Sequence, residues 1–159
     1  MVNKRGINLY KGRYTVENKE DIVVFIIGMR INKMIKPHRW IPTMKAMGPM
    51  LKELYQNREL GFLGGEILFS WRKITLIQYW SSFDKLEAYA HGEVHSKVWK
   101  DFYRNAFNNE CVGIFHESFQ VQAKHYEALY VNMPKHGLGK ARDHVKVNKA
   151  TNNARERLK

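Results

Sequence analysis

The chain has 159 residues and a mass of 18.8 kDa, with 44% hydrophobic and 13% aromatic side chains. That is enough for one packed core burying about 70% of the extended-chain surface, and too apolar for intrinsic disorder. The longest apolar run, Ile22 to Met29, falls far short of the roughly 20 residues a bilayer span requires, and the single Cys111 excludes an intrachain disulfide framework.

Charge is uneven. Of a net +12, residues 1–14 carry +4 and residues 135–159 carry +6, leaving +2 for the 120 between. This pattern predicts a basic N-terminal extension over residues 1–20 and a basic C-terminal tail over 135–159, both solvated, around a folded domain at 21–134. Basic arms condense on polyanions without reading sequence, and no reading helix or stacking platform accompanies them, so no sequence-specific nucleic-acid binding is expected. Lys4 and Arg5 have no apolar stretch behind them, unlike a secretory leader. With one cysteine and no membrane span, a cytoplasmic protein is expected.

In chain order, IVVFIIGMRI at 22–31 reads as a first strand covered on both faces. Lys36, Pro37 and His38 break it. Ile41, Met44, Met47, Leu51 and Leu54 then recur at helical spacing. Gly48 and Pro49 predict a kink there or the start of a second helix. Glu66–Ser70 and Lys73–Trp80 read as a hairpin turning at Trp71 and Arg72, with Ile74, Leu76, Gln78 and Trp80 on one face and Thr75, Ile77 and Tyr79 on the other. Ser81 or Ser82 caps a helix expected from Phe83 towards Phe107, turning Leu86, Tyr89, Val94, Val98, Phe102 and Ala106 inward, with Gly92 loosening its middle. Val112–Val121 is the fourth strand, and Tyr126–Asn132 is expected to extend it beyond a bend.

The order strand, helix, strand, strand, helix, strand predicts an α+β fold: a ferredoxin-like βαββαβ domain with both helices on one sheet face. The other face would be left bare and apolar. A second copy packed sheet to sheet would cover it, so a C2 homodimeric α+β barrel is expected.

Candidate chemistry centres on histidines. His91 and His95 stand four apart, a spacing that suits two imidazoles on one metal, but AHGEVH is not HExxH and brings no carboxylate or cysteine partner. No metal site is expected from it. His95 also precedes Trp99 and Phe102 on the apolar stripe. In VGIFHESFQV, alternation separates Ile114, His116 and Ser118 from Phe115, Glu117 and Phe119, and period alone does not say which of His116 and Glu117 points inward. Trp71, Tyr79, Trp80, Trp99 and Phe115 are the candidate lining of a pocket for an apolar or aromatic small molecule. GxSxG, GxGxxG and a Walker loop are absent, and MPKHGLG lacks the strand-to-helix setting that aims amides at an anion.

The segments VVFIIGMRIN, WIPTMKAMGPMLKEL, LGGEILFSWRKITLIQYWSSFDKLEAYA, VGIFHESFQV and YEALYVNMPKHGLG resemble a bacterial family described as monooxygenase-like, within the dimeric α+β barrel superfamily, over about residues 10–140. AHGEVH, FHES and YVNMPKHGLG also resemble the haem-containing aldoxime dehydratases, longer proteins built of two related halves. The first resemblance implies a monooxygenase-like enzyme acting on an apolar or aromatic molecule in a barrel cavity, with His116 or Glu117 as base. The second implies haem, with His95 as proximal ligand, His91 as its alternative and His116 as distal acid. The superfamily also implies a third alternative, a dimer that binds a small ligand without catalysis.

Overall fold

The computed structural model describes residues 8–92, 95–96, 99–100 and 110–159. Its main sheet has four antiparallel strands, β2 (Ile22–Ile31), β3 (Phe62–Ser70), β4 (Lys73–Trp80) and β5 (Val112–Val121), in the order β3-β4-β2-β5. This is the strand order of the expected ferredoxin-like α+β fold. Strand β2 is central because its Val- and Ile-rich run pairs on both edges, from Val23 opposite Trp80 to Arg30 opposite Lys73, and from Ile22 opposite Val121 to Ile31 opposite Val112.

Helix α1 (Pro37–Gln56) starts with Pro37, whose missing N–H is one the first turn leaves unbonded anyway. It runs unbroken through Pro42 and Pro49, where a kink or a second start was expected. Both prolines lie on the exposed side, so water reaches the carbonyls that lose their helical donors. Helix α2 (Phe83–Ala90) is capped by the Ser82 hydroxyl, which accepts from the Lys85 amide at 3.2 Å. It ends at Ala90, and His95, Ser96, Trp99 and Lys100 are helical again, so the expected run towards Phe107 is interrupted at Gly92. Gly92 donates to the Tyr89 carbonyl at 3.0 Å and closes a turn there, as a residue of low helix propensity would. Val94, Val98, Phe102 and Ala106 lie outside the described residues.

The helices pack on one sheet face. Trp80, fully buried, is the centre of a cluster with Val23, Leu54, Phe62, Leu86 and Tyr89. The opposite face is covered only in part, where residues 136–140 pack on Glu66 and Tyr79, so β2 is half-buried at Val24 and Ile26 rather than sandwiched, and Leu68 and Phe119 stay about half exposed.

The described parts of the basic ends, residues 8–20 and 135–159, expected as solvated arms, instead fold onto the domain. Strand β1 (Tyr10–Val16) pairs with β6 (Tyr130–Met133) and β7 (His144–Lys146) in a second antiparallel sheet, β6-β1-β7. The expected extension of the fourth strand at 126–132 therefore belongs to this second sheet. Val16, Ile22, Tyr126 and Tyr130 form its core, and Leu63 and Tyr79 of the main sheet pack against them. Short helices α3 (Leu138–Ala141) and α4 (Ala154–Arg157) follow. Some of the tail's cations are engaged: Arg142 meets Glu20 at 2.8 Å, and the buried Arg157 meets Glu127 at 2.6 Å. Composition marks a flexible arm only when its charges lack partners, and these partners lie 122 and 30 residues away in sequence. No helix among the described residues is long and apolar enough to cross a membrane.

Candidate functional site

Alternation along the strands sends every second side chain toward the helices. On that side lies a cavity of about 510 Å³, within the usual range for small-molecule pockets. Phe25, Ile27 and Met29 of β2, Leu76, Gln78 and Trp80 of β4, and Ile114, His116 and Ser118 of β5 form its floor. Thr43, Met47, Met50 and Leu54 of α1 form one wall, and Leu86 and Tyr89 of α2, followed by His91, His95 and Trp99, form the other. The lining is mainly aliphatic, aromatic and thioether. Methionines suit an apolar guest of irregular shape because their unbranched side chains adjust.

Polar groups are few, and Gln78, Tyr89 and His95 among them are anchored by the local fold. Gln78 is buried, and its Oε1 accepts from the Trp80 indole N–H at 3.0 Å, a pairing of same-face neighbours two apart on β4. The Tyr89 hydroxyl donates to the Met50 carbonyl at 3.3 Å, and burial, then the nearby Glu53 carboxylate, pushes its pKa well above the ordinary value. Tyr89 is therefore a neutral hydrogen-bonding group at any physiological pH.

His95 is held by three contacts. Its Nδ1 lies 2.8 Å from the Ala90 carbonyl. Its ring meets Tyr89 edge-on at 5.4 Å and lies nearly parallel to Trp99 at 6.0 Å. A carbonyl only accepts, so Nδ1 carries the proton and Nε2 keeps its lone pair. Burial pulls the pKa of His95 below its ordinary value, against the opposing pull of the Ala90 carbonyl and Glu53, so the ring is neutral at pH 7. His116 enters from the sheet side, opposite Ile27 in the β2 register, with its ring 5.7 Å from that of Phe25. It is exposed, so it sits where the cavity meets solvent.

The cavity thus brings together His116, His95, His91, Trp80 and Trp99. It leaves out four of the expected residues. Glu117, Phe115 and Tyr79 project from the opposite sheet face, because Glu117 and Phe115 alternate with His116, and Tyr79 with Gln78 and Trp80. Phe115 lies across Gly28 there, where a Cβ would come within 2.7 Å of its ring. Glu117 is therefore not among the residues that line this cavity. Trp71 sits at the hairpin turn and is 87% exposed. His91 is the exposed C-terminal cap of α2, and the turn at Gly92 separates it from His95, so the two do not share one uninterrupted helical face. Among the described residues no cluster of three or more His, Cys, Asp or Glu side chains is placed to hold a metal ion.

Sequence reasoning missed Phe25, Thr43, Gln78 and Ser118. Gln78 had a signal, a polar residue between Leu76 and Trp80 on an apolar face, as did Ser118, two residues from His116. Thr43 had none. The amides of the MPKHGLG segment are engaged within the protein: Gly137 donates to Glu66 Oε1 at 3.0 Å and Gly139 to the Tyr130 hydroxyl at 2.9 Å.

Comparison with known proteins agrees with this architecture. A monooxygenase af470 from Aspergillus fumigatus is 30% identical over 141 residues, which is 82% of this chain and 49% of that protein. The chain thus spans about half the length of this curated relative. An aldoxime dehydratase solved with butyraldoxime superposes with a TM-score of 0.69 at 18% identity, over 89% of this chain and 44% of that one. A Caulobacter crescentus protein given the provisional name antibiotic biosynthesis monooxygenase superposes with a TM-score of 0.50 at 9% identity, over 65% of this chain and 92% of that one. These two likenesses show the fold. Residues 22–138 match the family described as monooxygenase af470-like, and the chain belongs to that family.

Proposed function

We propose that the protein is a monooxygenase-like enzyme whose substrate is an apolar or aromatic small molecule held between the sheet and the helices. One observation carries the reading: a largely apolar cavity of about 510 Å³ with one imidazole, His116, on its sheet floor at the solvent edge. An electron-rich phenol seated there gives its hydroxyl proton to His116, and the activated ring reacts with dioxygen. One oxygen atom stays on the ring, the other leaves as water, and a quinone is the product. Gln78 and Ser118, on the same face as His116, orient the polar end of the ring.

A second reading rests on His95. Its Nδ1 is tied to a backbone carbonyl and its Nε2 lone pair is kept, the state in which an imidazole serves as an axial ligand. These residues fit haem, with His95 as its ligand. When bound, haem would supply a Lewis-acidic iron that holds an oxime nitrogen. In that reading His116 gives its proton to the departing hydroxyl and takes back the proton of the aldoxime carbon, leaving a nitrile and water.

One set of measurements separates the two readings. With a hydroxynaphthalene as probe, the first expects uptake of one dioxygen per quinone formed. If uptake does not exceed that of buffer, the oxygenase reading is lost. Titration with hemin expects a sharp Soret band, abolished by His95→Ala and kept by His91→Ala, only under the second.

The apolar sheet face carrying Ile26, Ile77, Phe115 and Phe119 supports a homodimer closed sheet to sheet, working in the cytoplasm, where Cys111 stays reduced. A sizing column is expected to return twice the chain mass, and Phe119→Glu to halve it. A wild-type protein eluting at monomer mass would overturn the dimer and leave the cavity chemistry standing.

A further inference from the structure

We propose that one end of the main sheet docks on an anionic lipid surface. Independently of what the cavity binds, the β2–α1 loop and the β3–β4 turn are held side by side there: the Ile31 amide donates to the Arg72 carbonyl at 2.7 Å, and Arg30 faces Lys73 in the ladder. From this end project Ile35, Trp71 and Phe69, exposed by 88%, 87% and 76%. They are among the largest exposed apolar side chains of the described residues, and they belong to neither the cavity nor the open sheet face.

The loop is not slack. The Lys36 amide closes a turn on the Lys33 carbonyl at 3.3 Å, the Trp40 indole donates to the Met34 carbonyl at 3.4 Å, and Pro37 begins the helix. Ile35 is thus held outward at the crest of a fixed turn, and Trp71 lies in a two-residue hairpin connection that also fixes its direction.

Charge decides the kind of partner. Residues 30–40 and 67–75 contain no Asp or Glu. Arg30, Lys33, Lys36 and Lys73 are exposed around the apolar crest. Among the described residues the carboxylate shown at this end is Glu110, bound to Lys33 at 2.8 Å. A second copy of the chain docked symmetrically here would set Lys36 and Lys73 against themselves, which costs rather than stabilises. An anionic leaflet offers the opposite sign over an apolar layer, and a crest of Trp and Ile inside a basic ring matches both layers at once. The cytoplasmic leaflet carries that charge.

The test is co-sedimentation of the full chain with vesicles of phosphatidylcholine alone, or with a third of the lipid replaced by phosphatidylserine, at physiological ionic strength. Binding to the phosphatidylserine vesicles is expected, with little to the neutral ones, and it should weaken as salt is raised. Ile35→Ser with Trp71→Ser should abolish it. Lys36→Ala and Lys73→Ala should each weaken it about fivefold, the equivalent of about 1 kcal/mol per cation near an anionic leaflet. Lys149→Ala, an exposed tail cation, should leave it unchanged. All these side chains are exposed, so the melting temperature of each variant checks that the fold is intact. The proposal is overturned if the wild type stays in the supernatant, if the tail variant weakens binding while the Ile35 and Trp71 variant does not, or if that double variant halves the mass on a sizing column and so identifies a second copy as the occupant.

Discussion

His116→Ala is expected to lower turnover in the cavity by about 10²- to 10⁴-fold, the usual contribution of a positioned proton-transfer group. Its melting temperature should stay within about 2 °C of wild type, since an exposed substitution seldom costs more than about 0.5 kcal/mol. Imidazole is the side chain suited to exchange a proton near neutrality, and the cavity floor offers no other of that kind. The loss should appear equally in kcat and kcat/KM, because His116 acts on charge that develops only as the reaction proceeds. Glu117→Gln gives the contrast. That carboxylate projects from the opposite sheet face, one residue away in sequence and on the wrong side of the backbone, so turnover should be unchanged. Steady-state rates on the three proteins decide the matter. Equal losses in both variants, or none in His116→Ala, would remove His116 from the chemistry.

What could be read from the sequence follows from how local its determinants are. Strands β2, β4 and β5 were expected with the ends they have, because a β-branched run and a two-residue period need only neighbouring residues. The sheet order followed from the alternation of strands with helices. The choice between His116 and Glu117 was out of reach, since alternation separates two faces without saying which one the helices cover. The structure resolves it through the β2–β5 register and the packing of α1. The early stop of α2 rested on one residue, Gly92, whose loosening effect was legible although its consequence was not. Trp71 and Tyr79 were misassigned for a simpler reason: aromatic character signals burial in something, and only the tertiary arrangement says in what. The second sheet was the largest omission. Three short strands with little hydrophobic period of their own are stabilised by pairing across more than a hundred residues, and nothing local announces that.

Removal of residues 141–159 is expected to lower the melting temperature by at least about 10 °C. The deletion takes away β7, whose His144, Val145 and Lys146 pair with Val16, Thr15 and Tyr14. It takes away Arg142, which bridges to Glu20 and to the Asp21 carbonyl. It also takes away Arg157, whose buried guanidinium donates to Glu127 at 2.6 Å and to the Thr151 carbonyl at 3.1 Å. What remains is an uncapped β1 edge beside the Tyr126 and Tyr130 cluster. Glu127 is partly exposed and is rehydrated when Arg157 goes, so losing this charge-assisted contact costs about 1.5–3 kcal/mol, and at about 2–4 °C per kcal/mol for a chain of this size it accounts for part of the shift. Glu127→Gln tests it without deletion: the buried Arg157 loses its counter-ion, and a smaller drop in the same direction is expected. The tail also fixes the acid limb of stability. The His144 ring stacks on Tyr14 with centroids 4.8 Å apart and has no hydrogen-bond partner on either nitrogen. Burial, then Lys135, pulls its pKa below the ordinary value of 6.5. The unfolded chain therefore binds a proton before the folded one does, and stability falls as pH drops below about 6.5. His144→Phe, which keeps the ring stack, should flatten that limb. Thermal melts of the four proteins between pH 5 and pH 8 read both effects, and a truncated chain that melts with the wild type would return the tail to solvent.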